Sequence, residues 1–263
     1  MSAVFTLDKA KIRQSFGAAS LSYDGVAELQ RAVGRQLVEK GRLYGLSGVI
    51  LDLGCGTGFL TGELLKLQSV EHMLALDIAM PMLQMTKRKL ANHPGVSYLC
   101  ADAERLALAP ESIDRIFSNL ALQWCRDLSS VFSDCHKVLK PAGMLVFSTF
   151  GPKTLCELKQ AWATVDEYSH VNEFYDAGEL ERFLAKAGFT AIQLEIQCHQ
   201  PVYASVLDLM KELKGIGAHN VSAGRNKKMT TKTQMQQMIA AYPGAKSDRI
   251  SATFEVITMI ARI

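Results

Sequence analysis

Short apolar runs alternate with segments of helical periodicity in the middle of this sequence, from residue 48 to about residue 150. The runs cover Val49 to Leu53, Met73 to Leu76, Val96 to Cys100, Ile113 to Ser118 and Met144 to Phe150. Strands that are buried on both faces of a parallel sheet have this composition, and the residues between the last two runs repeat at helical spacing. The pattern therefore predicts parallel strands joined by right-handed helical crossovers.

The regions on either side have looser patterns. Residues 1–44 favour helices that precede the first strand, and the region after residue 150 favours two helices and then a strand at 191–198. Residues 204–250 are typical of helices and loops, and they separate that strand from a last apolar run at 254–260. We therefore expect one domain with an insertion between its last two strands.

The composition is that of a globular protein, and it mainly serves to exclude other classes of protein. Of the 263 residues, 48% are hydrophobic and 21% are charged, which excludes collagenous, disordered and disulfide-stapled chains. No stretch approaches the roughly 18 apolar residues that span a bilayer, so we expect no membrane association. The six cysteines lack the short spacings of zinc and redox sites, and the net charge is only +3. We expect no metal, no nucleic-acid partner and a cytoplasmic location.

The candidate chemistry lies in a glycine-rich turn after the first predicted strand, VILDLGCGTG at residues 49–58. Gly54 and Gly56 let the backbone bend sharply and approach a ligand, because a Cβ would occupy that space. Phe59 stands where a dinucleotide-binding turn has its third glycine. Asp52 precedes the turn, and its carboxylate would repel a pyrophosphate. The turn therefore favours a positively charged ligand.

This segment resembles motif I of the class I S-adenosylmethionine (SAM) methyltransferases, and the resemblance extends through most of the chain. It implies a three-layer, Rossmann-like α/β fold with a mostly parallel seven-stranded sheet, an antiparallel last strand and helical lid insertions. It also implies that acidic side chains at consecutive strand ends bind the amino group, ribose and adenine of SAM. The expected cofactor residues are Asp52, Gly54, Cys55, Gly56, Asp77, Ile78, Met82, Asp102, Ala103, Asn119 and Leu120. An isolated Asp at a strand end is more often a helix cap, but several correctly spaced features together favour SAM.

Other stretches resemble a narrower family, the malonyl-acyl-carrier-protein O-methyltransferases of biotin synthesis. These stretches are FGAASLSYDGVAELQR, the region from Trp162 to Phe174, LKGIGAHN, and AGR at 223–225. The resemblance implies methyl transfer from SAM to the free carboxylate of a malonyl thioester on acyl carrier protein, with S-adenosylhomocysteine as the second product. It divides the single methyltransferase domain, 1–263, into a helical lid at 1–44, a SAM-binding half at 45–150 and a substrate-binding half at 151–263 with a helical insertion at 204–250.

Five side chains are candidates for contact with the reacting groups. Gln123 and Trp124 directly follow the fourth predicted strand, where ligands collect in such sheets, although a tryptophan is as often a core residue. On the resemblance, Tyr23 and Phe174 are expected to be aromatic walls over SAM, and Arg225 to bind the malonyl carboxylate. No catalytic base is expected, because a carboxylic acid with a pKa of about 4 is already ionised at neutral pH.

An acyl carrier protein is strongly acidic, so the resemblance also implies a basic docking rim. The candidate basic residues are Arg225, Lys227, Lys228 and Lys232 in one cluster and Lys9, Lys11 and Arg13 in another. A charge run is more often a solvated face. We expect a monomer. Three alternatives stay open: another small-molecule methyltransferase, such as one that acts on trans-aconitate, a non-catalytic protein of the same fold, and a nicotinamide oxidoreductase.

Overall fold

A mixed β-sheet with helices on both faces organises the chain. The computed structural model describes residues 7–91, 93–218, 220–221, 230–245 and 247–263. The strands are β1 (Gly48–Leu53), β2 (Val70–Asp77), β3 (Val96–Cys100), β4 (Ile113–Asn119), β5 (Leu139–Phe150), β6 (Thr190–His199), β7 (Val202–Tyr203), β8 (Ile250–Ser251) and β9 (Phe254–Arg262). The helices are α1 (Lys9–Ala19), α2 (Tyr23–Val26), α3 (Glu28–Arg42), α4 (Phe59–Leu65), α5 (Met80–Lys89), α6 (Leu128–Val138), α7 (Cys156–Ala163), α8 (Ala177–Lys186), α9 (Val206–Gly215) and α10 (Lys232–Ala241), with a 3₁₀ turn at Leu122–Trp124.

Seven of the strands form one sheet in the order β3-β2-β1-β4-β5-β9-β6. Neighbours from β3 to β5 are parallel, whereas β9 runs antiparallel to both β5 and β6. The order reverses beside β1, and in such sheets this is the place where ligands bind at the carboxyl ends of the strands. The predicted fold, a mostly parallel seven-stranded sheet with an antiparallel last strand, is confirmed.

The central strands are apolar on both faces because both faces are covered. Leu51 and Phe147 pack with α6 on one face, and Ile50 and Phe117 pack under α3 and α4 on the other. All four side chains are fully buried. This double burial explains why these strands have continuous apolar sequences and not an alternating pattern.

Strand β5 begins five residues earlier than its apolar run predicts. Leu139 pairs with Ile113, the register then shifts, and Met144 pairs with Arg115. Ala142, between the two paired segments, has a positive φ of 62°. The sequence Lys140-Pro141-Ala142-Gly143 therefore forms a bulge inside the strand and not a loop before it.

A small two-stranded sheet closes the base of the segment between β6 and β9. Val202 pairs with Ser251 and Tyr203 with Ile250, so the two ends of this segment lie side by side. The helices α9 and α10 belong to it, and they pack with α7 in a second apolar core. We call the pair β7 and β8 the clasp. The sequence predicts the inserted helices but not the clasp, whose strands are only two residues long.

Candidate active site

A cleft lies at the carboxyl ends of the first four strands, where the fold predicts a ligand. We call it the main cleft. It is lined by Leu53 and Gly54 after β1, by Leu76 and Asp77 at the end of β2, by 101–103 after β3 and by 119–122 after β4. The helix α1 and Tyr23 border it on the N-terminal side. Strand ends that are far apart in sequence thus form one continuous wall.

The glycine turn bends tightly under this cleft. The backbone N–H groups of Gly54 and Cys55 both donate to the carbonyl oxygen of Leu76, at 2.8 and 2.9 Å. Gly54 has a φ of 81°, and a Cβ there would lie 2.4 Å from the Cβ of Ala121. Gly56, with a φ of 55°, has no atom within 4 Å of the place of its Cβ. One glycine therefore permits close packing of the turn, and the other leaves open space at the edge of the cleft.

Asp52 is buried at the end of β1, with 1% of its surface exposed. The Thr61 hydroxyl donates to its Oδ2 at 2.5 Å. Burial raises the pKa of Asp52 to about 7, and the negative charge of Asp77 adds to this effect, while the hydrogen bond from Thr61 opposes it. A cation near this carboxyl group would favour its ionised form.

The carboxylate of Asp77 ties the glycine turn to the end of β2. Its Oδ2 accepts the Gly56 N–H at 2.9 Å, and its Oδ1 accepts the Ala79 N–H at 2.8 Å. Burial raises its pKa, while these backbone donors act in the opposite direction. Each carboxylate oxygen has a second lone pair, so Asp77 retains capacity to accept hydroxyl groups from the cleft, which it lines.

Asp102 forms an ion pair that its own sequence neighbourhood does not reveal. Lys9 of α1 donates to Asp102 Oδ2, and the Lys9 Nζ also lies 2.7 Å from Glu104 Oε2. Asp102 Oδ1 accepts the Glu104 N–H at 3.0 Å. Lys9 therefore holds α1 against the turn after β3. A ligand amine that reaches Asp102 has to share this carboxylate with Lys9.

The apolar residues expected to contact SAM lie on two sides of the glycine turn. Ile78, Met82 and Ala103 line the main cleft. Cys55 does not line it: its side chain packs against Ala75 and Leu83 and borders a smaller cavity behind the turn. Burial raises the pKa of the Cys55 thiol well above its usual range, so it is a neutral packing group. Two expected cofactor residues, Asp52 and Cys55, are thus absent from the lining of the main cleft, and both border the smaller cavity behind the turn.

Asn119 is the last residue of β4, and Leu120 directly follows the strand. The Asn119 amide donates to the carbonyl of Gln30 in α3 at 2.9 Å, and its oxygen accepts the Ser148 hydroxyl at 2.9 Å. Leu120 has a positive φ of 48°, which is rare for a residue with a γ-branched side chain. Its N–H donates to the backbone and the hydroxyl of Ser148, at 3.0 Å each, and these bonds hold the strained backbone.

Tyr23 begins α2 and lines both the main cleft and the smaller cavity. Burial raises the pKa of its hydroxyl, and the negative charges of Asp77 and Asp24 add to this effect. Asp24 itself accepts the Thr57 hydroxyl at 2.6 Å and pairs with Lys89. The helix α2 is therefore attached to the glycine turn on one side and to α5 on the other.

A second cavity adjoins the main cleft, and Trp124 lines both. We call it the side cavity. Phe174, Phe150 and Leu213 are among its apolar residues, and the rings of Phe150 and Phe174 meet edge to face at 5.8 Å. Trp124 packs edge to face on Phe16 of α1 at 5.1 Å. Phe174 thus lies in the side cavity and does not border the main cleft.

Gln123 points into the protein. Its amide donates to the Leu120 carbonyl at 2.7 Å and accepts from the Thr149 hydroxyl at 3.3 Å. It lines neither the main cleft nor the side cavity. The expected substrate contact of Gln123 therefore has no geometric support, and the side chain instead supports the strained backbone of Leu120.

Arg225, Lys227 and Lys228 lie outside the described residues. Within the described parts of the chain, no three His, Cys, Asp or Glu side chains are grouped as a metal site requires. In the same parts, no helix has the length and apolar character needed to cross a bilayer.

Three residues that line the main cleft are not predicted by the sequence pattern. Lys9 was expected in a docking rim, but it lies inside the site and borders the main cleft together with Ile12 and Phe16. The spacing of Ile12 and Phe16, one helical turn apart, is a signal for an apolar helix face. The pattern gives no signal of where α1 docks, because its partner Asp102 is 93 residues away.

The fold and the cleft define this protein as a methyltransferase. Residues 51–147 match the family model described as a methyltransferase domain. Among solved structures, the YcgJ protein from Bacillus subtilis superposes with a TM-score of 0.62 at 16% identity, over 87% of this chain and 97% of that one. A phosphoethanolamine N-methyltransferase from Haemonchus contortus, in complex with S-adenosylhomocysteine, superposes with a TM-score of 0.55 at 16% identity, over 87% of this chain and 52% of that one.

Closer relatives narrow the class to a family. A malonyl-[acyl-carrier protein] O-methyltransferase from Methylococcus capsulatus is 43% identical over 97% of this chain and 94% of that protein. One from Methylovorus sp. is 39% identical over 96% of this chain and 88% of that protein. The biotin biosynthesis bifunctional protein BioHC of Cellvibrio japonicus is 38% identical over 97% of this chain and 50% of its own length. The chain belongs to the malonyl-acyl-carrier-protein O-methyltransferase family.

Proposed function

We propose that this protein transfers the methyl group of SAM to the free carboxylate of a malonyl thioester on acyl carrier protein, giving the methyl ester and S-adenosylhomocysteine. The observation that carries the proposal is the 43% identity to a relative of that name over 97% of the chain. This similarity includes α9 and α10 and the residues after Trp124 that line the side cavity, which the methyltransferase-domain match at 51–147 does not reach.

The main cleft fits SAM as the methyl donor. Acidic side chains stand at the ends of β1, β2 and β3, and open space faces Gly56. In this arrangement Asp77 accepts the ribose hydroxyls and Asp102 accepts the adenine amine, while Asp52, which borders the smaller cavity behind the turn, favours the ammonium group. Ile78 and Met82 offer apolar surface to the adenine ring. We assign the methionine end of SAM to the region of Asn119 and Leu120.

The side cavity supplies the place for the acyl group. Trp124 lines both this cavity and the main cleft, so we propose that the acyl group binds beside Trp124 with its carboxylate facing the donor. When bound, SAM supplies an electrophilic methyl group on a positively charged sulfur. A carboxylate oxygen forms the new bond to the methyl carbon as the carbon–sulfur bond breaks, and sulfur keeps the electron pair.

This reaction needs positioning and the exclusion of water more than it needs acid–base catalysis. The carboxylate is already ionised, and the opposite charges of nucleophile and donor disappear in the transition state. Water stabilises the charged ground state more than the neutralised transition state, so a dry site lowers the barrier. Tyr23, Trp124 and Phe174 are the aromatic walls that exclude water, and we propose residues 1–44 as the lid over the donor. Arg225 remains our candidate for the residue that binds the malonyl carboxylate.

Docking of the acidic carrier protein is proposed to use basic residues around the entrance. Lys11 and Arg13 of α1 and Lys232 at the start of α10 are the described candidates, while Lys9 is engaged with Asp102 and Glu104. Electrostatic docking predicts that kcat/KM for malonyl-loaded carrier falls steeply with salt, whereas kcat/KM for a short malonyl thioester changes little. We further propose that the enzyme acts as a monomer in the cytoplasm.

The decisive experiment incubates the purified protein with SAM and malonyl-loaded acyl carrier protein and measures the acyl mass. We expect a gain of one methyl group on the malonyl group, and no gain with acetyl-loaded carrier, which has no free carboxylate. Binding of S-adenosylhomocysteine is measured in parallel by calorimetry. If that binding occurs but the malonyl group is not methylated, the substrate assignment is wrong, and trans-aconitate and other small carboxylates become the next substrates to test. Absence of binding would contradict the cofactor assignment as well.

A further inference from the structure

The side cavity is mostly apolar, but besides Thr154 its lining includes a group of three polar side chains. His170, Asn172 and Asn220 line it together, whereas most of the other lining residues are aliphatic or aromatic. The Asn172 amide oxygen accepts the Val221 N–H at 3.1 Å, and the Asn220 amide donates to the Ser169 carbonyl. Among the described residues that line the side cavity, His170 is the one that can carry a positive charge.

His170 is held in a fixed orientation on two sides. Its ring stacks on the indole of Trp162, with 3.7 Å between ring centroids and 4° between planes. Its Nε2 lies 2.8 Å from Asp166 Oδ1. The side chains of His170 and Asp166 are each only 13% exposed. An aromatic face and a carboxylate are both partners that attract a cation.

Asp166 is more than a packing partner for the imidazole. Its Oδ1 also accepts the Tyr168 N–H at 3.1 Å, so the carboxylate is anchored to the loop that carries His170. Its Oδ2 is buried, and no group in the described parts of the chain hydrogen-bonds to it. Because Nε2 is directed to Asp166, the other ring nitrogen, Nδ1, is the one left to meet a ligand.

We infer that His170, oriented by Asp166 and Trp162, recognises the negative charge of the substrate carboxylate in the side cavity. This inference rests on the proposed function, and it adds a charge-selecting residue to it. Substrate and product of the proposed reaction differ by one charge and one methyl group. If the His170 imidazole binds the carboxylate of the substrate more tightly than the methyl ester of the product, the neutral product dissociates more readily.

The carboxylate of Asp166 also limits how tightly the anion is held. A fully uncompensated cation beside the nucleophile would stabilise the charged ground state and raise the barrier to methyl transfer. With Asp166 sharing the imidazole, the net attraction is smaller, and the carboxylate oxygen stays nucleophilic. The arrangement therefore selects for charge at a small cost in reactivity.

The test compares affinities for two carrier-bound ligands that differ only in this charge. Malonyl-loaded acyl carrier protein and its methyl ester are titrated into protein saturated with S-adenosylhomocysteine, which prevents turnover. We expect His170→Gln to weaken binding of the malonyl form about tenfold, the low end for loss of a charge-assisted hydrogen bond, and binding of the methyl ester less than twofold. His170→Arg keeps a planar cation that stacks on indole, and we expect it to retain most of the preference for the malonyl form.

His136→Gln is the matched control. His136 also packs against an aromatic ring, edge to face on Phe189 at 5.4 Å, but it lies outside the side cavity, and we expect no change for either ligand. Equal weakening of both ligands in His170→Gln, or no weakening of either, overturns the inference. If the unaltered protein binds S-adenosylhomocysteine but does not methylate malonyl-loaded carrier, the proposed function itself fails, and this outcome is distinct from loss of charge preference in the variant.

Discussion

Replacement of Gly54 or Gly56 by alanine should have different effects: the first should mainly lower stability, and the second should mainly weaken ligand binding. Both have positive φ, so each Ala variant pays about 1–2 kcal/mol for a left-handed backbone. At Gly54 the new Cβ also lies 2.4 Å from the Cβ of Ala121, well inside ordinary contact distance. At Gly56 it meets no atom within 4 Å. The pair therefore separates a packing role from a ligand-binding role within three residues of chain.

The size of each effect follows from these contacts. Relief of the overlap at Gly54 requires movement of the backbone after β4 and costs about 1–3 kcal/mol, as in other overpacked sites. We expect Gly54→Ala to lose about 3 kcal/mol of unfolding free energy and about 6–12 °C of melting temperature. Gly56→Ala should lose only about 1–2 kcal/mol, or about 2–8 °C. Its new methyl group occupies space at the edge of the main cleft.

Thermal unfolding without ligand and calorimetric titration with S-adenosylhomocysteine check both halves of the prediction. Gly56→Ala should bind the ligand at least about tenfold more weakly than the unaltered protein, although it is the more stable of the two variants. A melting temperature of Gly54→Ala within about 2 °C of the unaltered protein would refute the packing argument. Unchanged affinity in Gly56→Ala would show that the open space beside this glycine is not where the ligand binds.

Three further predictions address other parts of the site. Lys9→Met breaks the ion pairs of α1 with Asp102 and Glu104, so S-adenosylhomocysteine should dissociate faster in stopped-flow measurements. Arg13 is exposed on the same helix, and Arg13→Met should leave the dissociation rate unchanged. Asp52 has a folded-state pKa of about 7, above its unfolded value, so its contribution to unfolding free energy should decrease as pH rises from about 4 to about 7, and urea unfolding of Asp52→Asn should lack this decrease. Trp124→Ala removes the wall shared by the two cavities. We expect kcat/KM to fall about tenfold or more while affinity for S-adenosylhomocysteine stays within about threefold. A parallel loss of both would contradict the assignment of Trp124 to the positioning of the substrate.

The strand ends were predictable from sequence because parallel strands present their carboxyl ends at one edge. Asp77 and Asp102 each follow a recognisable apolar run, and the structure brings both to the main cleft. Side-chain direction was harder to predict. Cys55 and Gln123 adjoin residues that line the cleft, but one packs behind the turn and the other hydrogen-bonds inward. Adjacent residues in a turn have no fixed periodicity, so the pattern cannot tell which of them faces a ligand.

Long-range docking was also beyond the sequence pattern. The amphipathic spacing of α1 indicates that one face is buried, but not that Lys9 reaches Asp102. Phe174 was expected over SAM, but it lines the side cavity together with residues of α7 and α9, and the sequence pattern gives no signal that these distant helices meet there. The pairing of His170 with Asp166 is local, four residues apart, but a His and an Asp at this spacing outside a helix have no regular geometry.

The clasp has a consequence for how such enzymes diversify. Because β7 and β8 hold the entry and exit of the inserted segment side by side, residues can be gained or lost between them without displacing β6 or β9. The entropic cost of closing a longer loop rises only slowly with its length. On the proposed assignment of the side cavity to the acyl group, the helices of the inserted segment can therefore change with the acceptor while the strands that carry the SAM site stay the same.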